Sequence, residues 1–264
     1  MRIWAAIFLG FLPLVALGQG FDASHREWDG LLKKHVVLVA GGKSSQVRYA
    51  AFAKDRAALK AYLDALSGVP AASFEAWPKA ERMAFLINAY NAFTVELILA
   101  HYPVKSIKDI GGLLDNRWKR KFFNLLGKPA TLDMIEHEML RKPGAYDDPR
   151  VHFAVNCASI GCPMLREEAY TAGKLDAQLE EQTRRFLGDR SRNRFANGRL
   201  EVSEIFRWFK EDWTSGYRGV RSREEFFAKY ADLLADDAAA RKSIAEGKAP
   251  IAHLDYDWSL NDAR

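Results

Sequence analysis

The chain has 264 residues, and its 39 basic and 34 acidic side chains are interspersed, leaving a net charge of only +5. That balance does not favour a nucleic-acid surface, and the one basic cluster, Arg117-Trp118-Lys119-Arg120-Lys121, reads as a solvated turn. With 12% aromatic residues and only two cysteines, the chain has material for a real core and is not a disulfide-stapled scaffold.

The chain opens with Arg2, an apolar run from Ile3 to Leu17 broken only by Gly10 and Pro13, and the small residues Ala16 and Gly18. This pattern predicts a signal peptide over residues 1–18, cut before Gln19. The run is too short to span a bilayer comfortably, and no cysteine near the cut is available to carry a lipid. Residues 19–264 are therefore expected to form a soluble, periplasmic or secreted single domain with no stable membrane span.

Ser24-His25-Arg26-Glu27 has the spacing of a capping box opening a helix through Trp28, Leu31 and Leu32. Leu59, Tyr62, Leu63 and Leu66 predict a second helix over about Phe52 to Leu66, ended by Gly68. A third helix starts in the turn containing Pro78 and runs to about His101, before Pro103. It has no charged residue between Met83 and Val95, which predicts burial on every side. Gly111-Gly112 marks a loop, and Phe122 to Thr131 reads as a small hairpin. Thr131 or Asp133 is expected to cap a helix from Leu132 to Arg141.

Asp147-Asp148-Pro149 reads as a turn, and the alternation of Val151, Phe153 and Val155 with His152, Ala154 and Asn156 predicts a strand over Arg150 to Cys157. Helical patterns follow around Glu167 and from Leu175 to Leu187. Asn197-Gly198 turns a hairpin spanning Arg194 to Val202. Ser203 is positioned to cap a helix carrying Phe206, Trp208, Phe209 and Trp213, and a last helix is expected from about Arg223 to Ala245, before an extended tail. Many helices and few hairpin-like strands define an α+β fold, mostly helical, with a small antiparallel sheet.

The residues best suited to chemistry surround Cys157. The small residues Ala158, Ser159 and Gly161 follow it, an arrangement that lets backbone N–H groups approach a ligand, and Pro163 suits the first turn of a following helix whose dipole would favour a thiolate. A nucleophilic thiol needs an imidazole and a group to orient it. His137 lies off the apolar stripe of its helix, whereas His152 on a regular strand would point away from Cys157 unless the chain bends. Asn88 and Asn91 are amides inside an uncharged helix and must find hydrogen-bond partners, either fixing the fold or orienting an imidazole; Glu136 is a further candidate for that orienting role. The sequence has no phosphate-binding glycine loop, nucleophile elbow or spaced metal-ligand set, so no cofactor and no metal are expected.

Several blocks together resemble the domain-of-unknown-function family 547. They are Met83–Ala92, Tyr102–Gly111, Ile135-Glu136-His137, Asp148–Pro163 and the terminal Tyr256–Asn261, so the resemblance covers about Leu59 to Asn261. The family's His137, His152, Asn88, Asn91 and Cys157 are all present. Relatives also occur inside cells, which implies that the domain does not need an oxidising compartment and weakens the view that the cysteine pair exists for a disulfide. The resemblance implies no settled activity.

The expected function is a cysteine-dependent hydrolase or transferase acting on an amide or peptide-like substrate. Cys157 would be the nucleophile and His137 or His152 the base, with Asn88, Asn91 or Glu136 and the N–H groups after Cys157 in support. The other readings are a non-catalytic binding or scaffold module with a structural cysteine pair, and a reversible redox pair. The partner is an unidentified small-molecule or peptide-like ligand.

Overall fold

A computed structural model describes residues 20–111 and 116–263. The leader expected over residues 1–18, and most of the loop that begins at Gly111, lie outside the described residues.

The fold is α+β and mostly helical, with two-stranded and three-stranded sheets tucked among the helices. Helix α1 (Arg26–His35) leads into a hairpin of β1 (Val36–Val39) and β2 (Ser44–Val47), then into α2 (Tyr49–Phe52), α3 (Arg56–Ser67) and α4 (Ala71–Ala76). The expected capping box does not form. The Ser24 hydroxyl bonds to Asp22, and His25 takes the N-cap position in the left-handed region, with no side-chain cap.

At the centre lies α5 (Lys79–Leu99), started by Pro78. Every residue from Met83 to Val95 is buried, as the uncharged stretch requires, and α3 packs alongside. The predicted hairpin follows as β3 (Phe123–Leu125) and β4 (Lys128–Ala130). The helix expected from Leu132 winds as a π-helix over Met134–Leu140, with the Thr131 hydroxyl accepting the Met134 N–H at 2.9 Å.

The strand expected over Arg150 to Cys157 is absent. Pro149–Phe153 is a 3-10 turn with proline at its start, and the Asp148 carboxylate accepts the Arg150 N–H. All residues from Pro149 to Asn156 are buried, so the alternation of apolar and polar side chains did not report two faces of a sheet. Neither the helical turn expected around Glu167 nor a helix after Pro163 forms; regular helix resumes only with α6 (Leu175–Leu187).

The second half builds a separate core. Strands β5 (Arg194–Ala196) and β6 (Arg199–Ser203) form the Asn197-Gly198 hairpin, whose two turn residues both have positive φ. α7 (Ile205–Trp208) ends after one turn, and a 3-10 segment over Lys210–Thr214 carries Trp213. The single long last helix expected from Arg223 is instead three short ones: α8 (Arg223–Ala228), α9 (Ala231–Leu234) and α10 (Ala238–Ala245). Ala235 is extended, and the Asp237 carboxylate accepts the Ala240 N–H to cap a fresh start at Ala238.

Strand β7 (Ile251–Leu254) pairs in parallel with β6, so the three-stranded sheet is mixed. From there the tail crosses back to the first core. Gly161 donates to the Asp257 carbonyl and Ile160 to that of Ser259, each at 2.8 Å, while Val47 donates to Asn261 O. The tail thus stitches the Cys157 loop to β2. One apolar cluster gathers around α1, α3 and α5, the other around Phe153, Phe206 and Trp213.

Candidate active site

A cavity of about 230 Å³ opens where the two cores meet. Cys157 and Cys162 lie in its wall, together with His137 and His152, the carboxylates Asp133 and Glu136, and the rings of Tyr90, Trp208 and Tyr256.

The loop bearing Cys157 is held by amides. Asn91 donates to Ala154 O at 2.9 Å and accepts the Asn156 N–H at 2.8 Å. Asn156 donates to Pro163 O and accepts the N–H of Ala158, a residue with left-handed backbone. Asn88 makes the equivalent pair of bonds to Tyr170. Both helix asparagines are therefore committed to backbone, and neither lines the cavity. It is Tyr90, between the two asparagines on α5, that reaches the cavity.

Cys157 and Cys162 are free thiols. The Cys157 N–H donates to Cys162 Sγ at 3.0 Å, and Cys157 Sγ lies 3.2 Å from Tyr256 Oη and 3.6 Å from Ser159 Oγ. Hydrogen bonding from the Cys162 thiol, with help from Tyr256 and Ser159, lowers the Cys157 pKa despite burial and the nearby Glu136 charge. Burial and the neighbouring Cys157 push Cys162 well above the ordinary thiol value. Tyr256 is raised as well, by burial and then by the two sulfurs, so its phenol remains a donor. No helix dipole contributes, because none begins at Pro163.

Four of the N–H groups after Cys157 are already engaged: Ala158 with Asn156, Ile160 and Gly161 with the tail, Cys162 with Ser159 O. The small residue at 161 has a steric reason. A Cβ there would lie 2.9 Å from Asp257 N and 3.1 Å from the Tyr256 ring, so only glycine lets the tail approach.

His152, freed from any strand geometry, lies in the same cavity wall as Cys157. Its Nε2 is 2.7 Å from Asp212 Oδ2, and its ring stacks on Phe209 with centroids 4.1 Å apart. Arg141 clasps Asp212 through two bonds of 2.6 and 3.0 Å and also contacts His137 Nδ1. Burial raises the Asp212 carboxyl, but the bonds from His152 and Arg141 outweigh it and hold the group well below the usual carboxylate range. No hydrogen bond joins either imidazole to Cys157 Sγ among the described residues. The π-helix turns Asp133, Glu136 and His137 toward the cavity together, with His137 Nε2 3.7 Å from Asp133.

Cys157, His137, His152 and Glu136 are thus brought together, and Asn91 supports them from behind. Sequence reasoning missed Asp212, Arg141 and Tyr90 as site residues, and it placed Tyr256 in a tail without a role. The described residues contain no group of three or more side chains placed to hold a metal ion.

This is a mostly helical α+β chain with a thiol-lined cavity at the seam of its two cores. Residues 74–187 match the model of the family described as "Protein of unknown function, DUF547". The match is narrower than the motif resemblance. It takes in α5, the π-helix, the Cys157 loop and α6, while Asp212 and Tyr256 lie beyond it. No curated protein and no solved structure matches the chain.

Proposed function

We propose that the protein is a cysteine-dependent acyl hydrolase or transferase acting on an amide or peptide-like substrate. The observation that carries this reading is a polarised Cys157 thiol sharing one cavity with an imidazole that a carboxylate orients, the His152–Asp212 pair. Buried structural thiols have no need of three hydrogen-bonding neighbours or an opening to solvent.

The thiolate would be supported by Cys162, Tyr256 and Ser159 rather than by an ion pair with histidine. Cys157 Sγ attacks the acyl carbon as its proton passes to His152 Nδ1, and His152 delivers that proton to the departing amine or alcohol as its bond to that carbon breaks. Water then attacks the thioester, gives its proton to His152, and releases the acid and the thiolate; in a transferase a second amine or alcohol replaces water. Asp212 holds the ring by Nε2 and leaves Nδ1, which has no hydrogen-bond partner among the described residues, for these transfers. With the Ala158, Ile160, Gly161 and Cys162 N–H groups engaged elsewhere, the Tyr256 hydroxyl beside the sulfur is a donor for a developing oxyanion. Export through the expected leader would bring this chemistry to the periplasm or the medium.

Iodoacetamide labelling at neutral pH followed by peptide mapping tests the reading. Cys157 should be alkylated well ahead of Cys162, and Cys157→Ala should fold normally and lose turnover of any ester or amide the wild type cleaves. An inert Cys157 would leave a non-catalytic binding or scaffold module as the better description.

A further inference from the structure

Resting on the thiol reading above, the charges around the cavity point to its substrate. Five groups there are already paired with one another. Asp212 holds both His152 and Arg141, and His137 lies between Arg141 and Asp133. Glu136 is left over. It is half-buried and lines the cavity, yet it has no ion pair among the described residues; its polar neighbour is the buried Tyr90 hydroxyl. A partly desolvated carboxylate without a counter-charge is costly unless a ligand supplies one.

Another part of the lining is aromatic. Trp208, Tyr256 and Trp258 contact one another, with ring centroids 4.5 to 5.7 Å apart. Such faces attract organic cations. Lys108 Nζ, which is not itself a lining group, already sits 3.8 Å from the centre of the Trp258 ring, so this wall holds an ammonium on one of its faces. An anionic ligand would meet Glu136, Asp133 and the Cys157 thiolate together. A neutral apolar ligand would cover Glu136 without pairing it.

We infer that the cavity takes an acyl substrate whose acyl part bears a protonated amino group, with Glu136 as its counter-charge and the Trp208–Tyr256–Trp258 wall as its cradle.

The test compares two activated esters of equal chain length, Nα-acetyl-lysine and Nα-acetyl-norleucine 4-nitrophenyl esters. The rate at which Cys157 gains the acyl mass is followed by intact-mass spectrometry and divided by each ester's rate with glutathione. The lysine ester should acylate Cys157 about tenfold faster than the norleucine ester, and Glu136→Gln should bring that ratio close to one. Equal normalised rates in the wild type would overturn the cationic subsite while leaving the nucleophile intact. A preference that survives Glu136→Gln would overturn the role given to Glu136. Acylation by neither ester would remove the nucleophile, and this inference with it. The wild-type ratio needs no variant to fold.

Discussion

The Asp212 carboxylate accepts a hydrogen bond from His152 Nε2 at 2.7 Å, linking residues 60 positions apart in the chain. The bond fixes the ring against Phe209, and Arg141 fixes the carboxylate in turn. Orientation of an imidazole is worth much of its value as a proton carrier. Asp212→Asn should therefore lower Cys157-dependent turnover by about 10²-fold or more. Iodoacetamide alkylation of Cys157 needs no proton delivery to a leaving group and should fall far less. Equal loss in both assays would mean that Asp212 serves the fold alone.

Cys162 is the main support of the Cys157 thiolate, with Tyr256 and Ser159 behind it. Removing a donor moves the thiol back toward its ordinary value of 9.0. The midpoint of the pH profile for Cys157 alkylation should rise in Cys162→Ala and, by less, in Tyr256→Phe. Cys162→Ser, which keeps a donor at that position, should recover part of the shift. A profile unmoved by either deletion would show that the thiol is polarised by something else.

Gly161 couples the reactive loop to the tail, because a methyl group there would collide with Asp257 and the Tyr256 ring. Overpacking of this kind costs about 1–3 kcal/mol. Gly161→Ala should lower the denaturation midpoint and also slow Cys157 alkylation, since Tyr256 leaves its place beside the sulfur. Chemical denaturation and the alkylation assay, run on the same sample, check both halves.

Local chemistry made much of the fold legible. The uncharged run in α5, the start after Pro78 and the Asn197-Gly198 turn each have a short-range cause that survives in the structure. Arg150 to Cys157 was misread because alternation means a two-faced strand only when one face is wet, and here every residue from 149 to 156 is buried. Asp148-Pro149 carried the better signal, a capping residue followed by a helix-starting proline. Cys157, His137, His152 and Glu136 were recognisable because thiols, imidazoles and carboxylates in unusual settings stand out in a sequence. Asp212 and Arg141 were not, since surface-type charges in short turns look alike until a contact 71 residues distant pairs them. Asn88 and Asn91 were recognisable as buried amides but not as backbone clamps, because their partners come from other segments.

His25 gives the fold a pH dependence of known sign. Its imidazole is buried with Nδ1 2.7 Å from Tyr62 Oη, and burial lowers its pKa from 6.5 to about 4, against a small opposing pull from Asp22. Between those values the unfolded chain binds a proton that the folded chain refuses. Stability is therefore full above pH 6.5 and declines as pH falls toward 4, by up to about 3 kcal/mol. His35, lowered by burial in spite of its bond to Asp55, acts in the same direction. Asp212, whose pKa is depressed, adds a loss only below the ordinary carboxylate value of 3.8. In His25→Asn, asparagine tolerates the left-handed backbone at this position and does not titrate. Unfolding free energies measured by denaturant titration from pH 7.5 down to 4.5 should fall steeply in the wild type and less steeply in His25→Asn, with the His35 contribution remaining. Parallel curves for the two proteins would show that His25 is not the proton acceptor.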